Sequence, residues 1–130
     1  MAGGTDVILL IHGKVIPVSE RVHLCPGHFP ASLEEMNQDS DQVAESLKGT
    51  SFALVSLDPD LYAPTLAGLD YFYPRLSPGG MIVLHDYDNR QFVGVQRAVR
   101  EYEQKLISSG GHPLRLVPIG DLHGSCVIIK

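Results

Sequence analysis

No stretch of about 18 apolar residues runs anywhere in the chain and no signal peptide opens it, so nothing in the sequence reads as a membrane span or an export signal. The expectation is a soluble, cytoplasmic protein with no membrane partner. Cysteine is scarce: Cys25 and Cys126 stand far apart without a CxxC spacing, which excludes a disulfide framework and a cysteine zinc site. Both lie in apolar, strand-like surroundings and read as buried thiols. Basic residues are outnumbered, with a formal charge of −5 and a pI near 5.6, which argues against an electrostatic grip on nucleic acid. Arg97, Arg100 and Lys105 interleave with Glu101 and Glu103 and read as a solvated helix face. A G-x-S-x-G elbow is missing too, so the opening Ile11-His12-Gly13 is not read as the oxyanion loop of a hydrolase. With no positioned nucleophile and no His-x-His cluster, a metal-dependent hydrolase is the weakest reading.

What is present is enough for one core: 130 residues, 44% of them hydrophobic, expected to form a single domain over residues 1–130. The organising stretch runs from Phe52 to Asn89. Phe52-Ala53-Leu54-Val55-Ser56-Leu57 is an apolar run that ends in Asp58 and Asp60, and Met81-Ile82-Val83-Leu84 is a second that ends in His85-Asp86-Tyr87-Asp88. Short apolar runs bounded by Gly, Pro or Asp read as buried strands of a parallel sheet. Between them, Leu66, Leu69, Phe72, Tyr73 and Leu76 recur at three and four, predicting a helix over Tyr62 to Leu76 closed by Ser77-Pro78-Gly79-Gly80. The unit is β-α-β, and ligands of open α/β sheets sit outside the carboxyl ends of the strands, where both acidic clusters would lie.

On either side the pattern continues. Asp6 to Ile11 and Arg21 to Cys25 read as strands, the second delivering the turn Pro26-Gly27-His28-Phe29-Pro30 to the same rim. The proline in Val15-Ile16-Pro17-Val18 keeps that segment at an edge or out of the sheet. Ala31 to Met36 and Gln42 to Leu47 read as short helical pieces, and Gln91 to Ser108 as the longest helix, with Val95, Val99, Tyr102 and Leu106 on one face. Leu114 to Ile119 and Ser125 to Lys130 read as an antiparallel hairpin with a five-residue loop.

The string Leu57-Asp58-Pro59-Asp60-Leu61-Tyr62, then Tyr73-Pro74-Arg75-Leu76-Ser77-Pro78-Gly79-Gly80, then His85-Asp86-Tyr87, resembles the macrocin/mycinamicin family of S-adenosylmethionine-dependent sugar O-methyltransferases. Val22-His23-Leu24-Cys25-Pro26-Gly27-His28-Phe29-Pro30 and Gly94-Val95-Gln96-Arg97-Ala98-Val99 extend the likeness over most of Arg21 to Tyr102. The resemblance implies an α/β fold, a Rossmann-like sheet ending in an antiparallel hairpin, and a divalent metal held at the strand ends that correspond to Asp58 and to His85-Asp86. It also implies that the turn at Gly27, His28 and Phe29, with Asp58, faces S-adenosylmethionine, Gly27 letting the backbone approach and Phe29 supplying an apolar wall. A tight turn with a packed phenylalanine explains the same residues.

Two or three converging carboxylates are what Mg²⁺ needs, and Asp58 and Asp86 offer them. Plain solvated carboxylates are the alternative. A ligand at His85 would favour Mn²⁺, Fe²⁺ or Zn²⁺, while a strand-end histidine bonded to its neighbours would leave the metal to oxygen. Asp58, Asp60 or His85 could take the proton of a methylated hydroxyl; Asp60 and Asp88 otherwise read as turn caps. A Gly-rich cofactor turn after the first strand does not stand upstream of Arg21, so the chain reads as the C-terminal half of a methyltransferase domain, with its N-terminal half truncated. Two functions follow: an S-adenosylmethionine- and metal-dependent O-methyltransferase acting on a sugar hydroxyl, with little or no activity as a truncated chain, or a non-catalytic remnant serving as a structural or interaction module. An open edge on the Phe52-Leu57 strand favours a homodimer.

Overall fold

The computed structural model describes residues 7–9, 22–24, 29, 31, 32 and 49–130, and divides the chain into two units, 1–50 and 51–130. In the first unit, strands β1 (Val7–Leu9) and β2 (Val22–Leu24) pair in parallel, Val7 opposite Val22 and Leu9 opposite Leu24. Both fall inside the two strands read from the sequence. The expected segment Val15 to Val18, the helical turn Gln42 to Leu47, Cys25 and the turn residues Gly27 and His28 lie outside the described residues.

The second unit is a four-stranded sheet with two helices: β3 (Phe52–Leu57), α1 (Tyr62–Phe72), β4 (Leu76–Leu84), α2 (Val93–Ser108), β5 (Arg115–Pro118) and β6 (Cys126–Ile129). The strand order is β3-β4-β6-β5. β3 and β4 run parallel, the arrangement a β-α-β crossover requires, while β6 pairs antiparallel with both β4 and β5. The expected hairpin therefore forms, and its second strand, not its first, lies against β4.

Alternation along the strands decides which face is the core. Val55, Leu57, Ile82, Leu84, Cys126 and Ile128 are buried together with Leu69 and Phe72 of α1 and Val95, Ala98, Val99 and Tyr102 of α2. Leu106, expected on the buried face, is only half-buried. A Cβ on Gly68 would meet Leu57 Cδ1 at 2.7 Å, so α1 lies close over the end of β3 at this point.

Two boundaries differ from the sequence reading. α1 stops at Phe72 and does not reach Leu76, because Pro74 has no N–H to continue the helical ladder. Ser77-Pro78-Gly79-Gly80 is likewise no mere helix stop. It lies inside β4, where Phe52 pairs with Leu76 and Leu54 already pairs with Met81, so the extra residues of β4 bulge out of the ladder. Gly79 supplies the positive φ of 77° that this bulge needs. At Gly80 a Cβ would meet the carbonyl oxygens of Ser77 and Phe52 at 2.8 and 2.9 Å, a backbone approach that only glycine allows.

Candidate functional site

β3 and β4 end side by side: Leu57 pairs with Leu84, and the His85 N–H donates to the Leu57 carbonyl at 3.1 Å. Parallel pairing in this register brings Asp58 and Asp86, each the first or second residue past its strand, to one rim. Asp60 joins them through the shape of the turn. The Leu61 N–H donates to the Pro59 carbonyl at 2.6 Å across Asp60, whose φ is 57°, so the chain reverses tightly there before α1 begins. One carboxylate oxygen from each of Asp58, Asp60 and Asp86 lies within 4.8 Å of the other two.

Asp86 is the buried member, 8% exposed, while Asp58 and Asp60 are exposed. Asp86 also has a left-handed backbone, with φ of 56°. Left-handed backbone is uncommon outside glycine, although aspartate tolerates it better than most, and two such residues in one three-carboxylate cluster are a costly local arrangement. The crowding has an electrostatic signature. Burial, then the charges of Asp58 and Asp86 and hydrogen bonds shared with them, raises the Asp60 carboxyl above its usual range. Three oxygen donors that repel one another when ionised, with an open side to solvent, suit a hard divalent cation completed by water.

The loop past β4 is held from two directions. Asn89 Nδ2 donates to Asp86 Oδ1 at 2.7 Å, and the Asp88 N–H donates to the carbonyl of Gly124, in the hairpin loop, at 2.8 Å. Tyr87, Asp88, Asn89, Arg90, Val93 and Gln96 line an open cavity of about 120 Å³ between this loop and the start of α2. At the start of α1, Tyr62 donates to Glu101 Oε2 at 2.5 Å and Arg97 stacks over the Tyr62 ring at 4.7 Å, tying α1 to α2 next to the rim.

The sequence-derived residues are thus distributed as follows. Asp58 and Asp86 come together. His85 lies between β4 and Asp86 but outside the three-carboxylate cluster, with its Nε2 3.3 Å from Ser56 Oγ. Phe29 is half-buried in a turn of the first unit. Asp60, read as a base or a turn cap, proves to be the third member of the cluster. Asn89 joins them through Asp86, and its signal in the sequence is its place three residues after that aspartate, the reach of a turn. Among the described residues no helix is long and apolar enough to cross a membrane.

This geometry has relatives. A curated 4′-O-methyltransferase acting on 8-demethyl-8-(2,3-dimethoxy-α-L-rhamnosyl)-tetracenomycin C, from Streptomyces olivaceus, is 49% identical over 35 residues, 27% of this chain and 13% of that protein. The apo structure of CalS11, a TDP-rhamnose 3′-O-methyltransferase of calicheamicin biosynthesis, is 27% identical with a TM-score of 0.55, over 86% of this chain and 42% of that one. The O-methyltransferase NovP, at 22% identity and a TM-score of 0.62, covers 87% of this chain and 39% of its own, and shows the fold alone. So does a Bacillus cereus O-methyltransferase in complex with SAH, 14% identical with a TM-score of 0.58, over 99% of this chain and 64% of that one. The chain thus spans about two fifths of the length of the sugar O-methyltransferase CalS11, and its sheet is that of Rossmann-like methyltransferases. The sequence model of the macrocin-O-methyltransferase family (TylF) matches residues 18–109, well over half the chain and all three carboxylates of the rim, and the chain belongs to that family.

Proposed function

We propose that this chain carries the metal-binding, acceptor-activating part of an S-adenosylmethionine-dependent O-methyltransferase whose substrate is a sugar hydroxyl. The observation that supports it most is the convergence of Asp58, Asp60 and Asp86 within the segment that matches the family. Asp58, Asp60 and Asp86 would hold Mg²⁺ or Mn²⁺, which when bound lowers the pKa of a coordinated hydroxyl and orients it. S-adenosylmethionine, which Gly27, His28 and Phe29 would contact, would supply the methyl group of a sulfonium.

The chain's own residues have three tasks. Arg90 and Gln96, which line the cavity after β4, would fix the acceptor by hydrogen bonds. Asp58, exposed at the rim, would take the proton of the acceptor hydroxyl on methyl transfer from the bound sulfonium. His85, on the neighbouring strand end, is the second candidate for that proton. In the whole enzyme we place the reaction in the cytoplasm and the subunits in a homodimer.

Calorimetric titration with S-adenosylhomocysteine and with Mg²⁺ or Mn²⁺ tests the reading. Asp58→Asn and Asp86→Asn should each abolish cation binding while thermal unfolding stays cooperative, since both side chains sit at the rim. Cation binding equal to wild type in both variants would refute the metal site, and a folded chain that binds neither ligand would favour a non-catalytic module.

A further inference from the structure

Asn89 is the residue whose hydrogen bonds go beyond what its turn requires. Its side-chain amide is engaged at both ends: Nδ2 donates to Asp86 Oδ1 at 2.7 Å, and Oδ1 accepts the Gln91 N–H at 3.0 Å. These two partners settle the amide's orientation, since a carboxylate can only accept and a backbone N–H can only donate. Its backbone takes part as well, the carbonyl accepting the Phe92 N–H at 3.0 Å just ahead of α2. Phe92, the residue that caps α2, makes no side-chain cap of its own. Asn89 therefore links the residues that lead into a 16-residue helix to the one buried carboxylate of the rim.

Asp86 needs such a link. It is buried, its backbone is left-handed, and two other carboxylates approach it within 4.8 Å. Left alone, a carboxylate in that position would turn away from its neighbours. A donor fixed on Oδ1 opposes this, because it holds the carboxyl plane at one angle.

We infer that Asn89 is a positioning residue for the cation site: its hydrogen bond commits Asp86 Oδ1, so that Oδ2 is the oxygen presented to a divalent ion. This rests on the metal reading above, but concerns a residue that does not itself ligate. Outer partners of ligating carboxylates typically govern affinity by about 10- to 100-fold.

The test is Mn²⁺ binding followed by the EPR signal of the free ion, in wild type, Asn89→Ala, Asn89→Ser and Asp58→Asn. Serine keeps an oxygen able to accept the Gln91 N–H, as serine does in comparable turns, but is too short to reach Asp86. It therefore removes the bridge and spares the turn, and decides the matter should the alanine variant fold poorly. Both Asn89 variants are expected to weaken Mn²⁺ about 10- to 100-fold, with cooperative thermal unfolding retained in the serine variant. Affinity within about twofold of wild type in Asn89→Ser, while Asp58→Asn abolishes binding, would overturn the role of Asn89 alone. No Mn²⁺ binding by wild type would overturn the metal reading and the inference with it.

Discussion

Cys126 and Tyr102 are core residues that carry ionisable groups, and they set how the molecule answers to alkali. Burial pushes the Cys126 thiol from 9.0 up to about 12. Burial also raises the Tyr102 phenol from 10.0 to about 12, with the charges of Asp70 and Tyr73 adding to it. A group whose pKa is raised by folding loses its proton first in the unfolded chain, so its contribution is whole below the unfolded value and is lost as pH rises towards the folded one. Stability should hold below pH 9.0 and fall progressively between 9.0 and about 12. Urea midpoints measured across that range check this, and a level midpoint to pH 11 would contradict it. At this scale the sequence was partly transparent. The shared rim of Asp58 and Asp86 was legible because each stands within two residues of the end of an apolar run, and a buried Cys126 because its neighbours are apolar. Asp60 was not, since its membership of the cluster depends on a left-handed turn between Pro59 and Leu61 that no periodicity announces. Asn89 was hidden for a similar reason: its partner is fixed by the conformation of a loop.

Among the elements, β3, β4, both helices and the terminal hairpin could be read from runs and spacings, because each is short, strongly apolar on one face and bounded by Gly, Pro or Asp. The β4 bulge could not. Ser77-Pro78-Gly79-Gly80 carries every local sign of a turn, and only the pairing of Phe52 with Leu76 makes it part of a strand. Two glycines give a contrast that tests how these elements pack. A methyl group on Gly80 meets backbone, the Ser77 and Phe52 carbonyl oxygens, which cannot move without breaking the ladder. On Gly68 it meets the flexible end of Leu57, and alanine gains about 1 kcal/mol of helix propensity over glycine. Gly80→Ala is expected to cost about 1–3 kcal/mol and Gly68→Ala less than about 1 kcal/mol in either direction. Chemical denaturation of the two variants separates them, and equal losses would mean that the bulge yields as easily as a side chain.

For the molecule as a whole, the sheet's second face matters most. Parallel strands are ordinarily covered on both faces, and in the second unit α1 and α2 are the only helices among the described residues, packing with Val55, Leu57, Ile82 and Leu84. The opposite face presents Leu54, 62% exposed, directly across from Met81, 36% exposed. Among the described residues β3 has a strand partner on one side alone. Exposed apolar residues beside an open strand edge drive association, and a two-fold pairing is the commonest way to close it. Placing a lysine at this position sets a charge on the apolar face without touching the core or the carboxylate rim. Leu54→Lys should therefore lower the apparent mass of the chain in light scattering at micromolar concentration while leaving Mn²⁺ affinity within about twofold, because the rim lies beyond Leu57 at the end of the same strand. A wild-type chain that scatters as a monomer would remove the basis for the homodimer, and a variant that stays associated would place the contact on another surface.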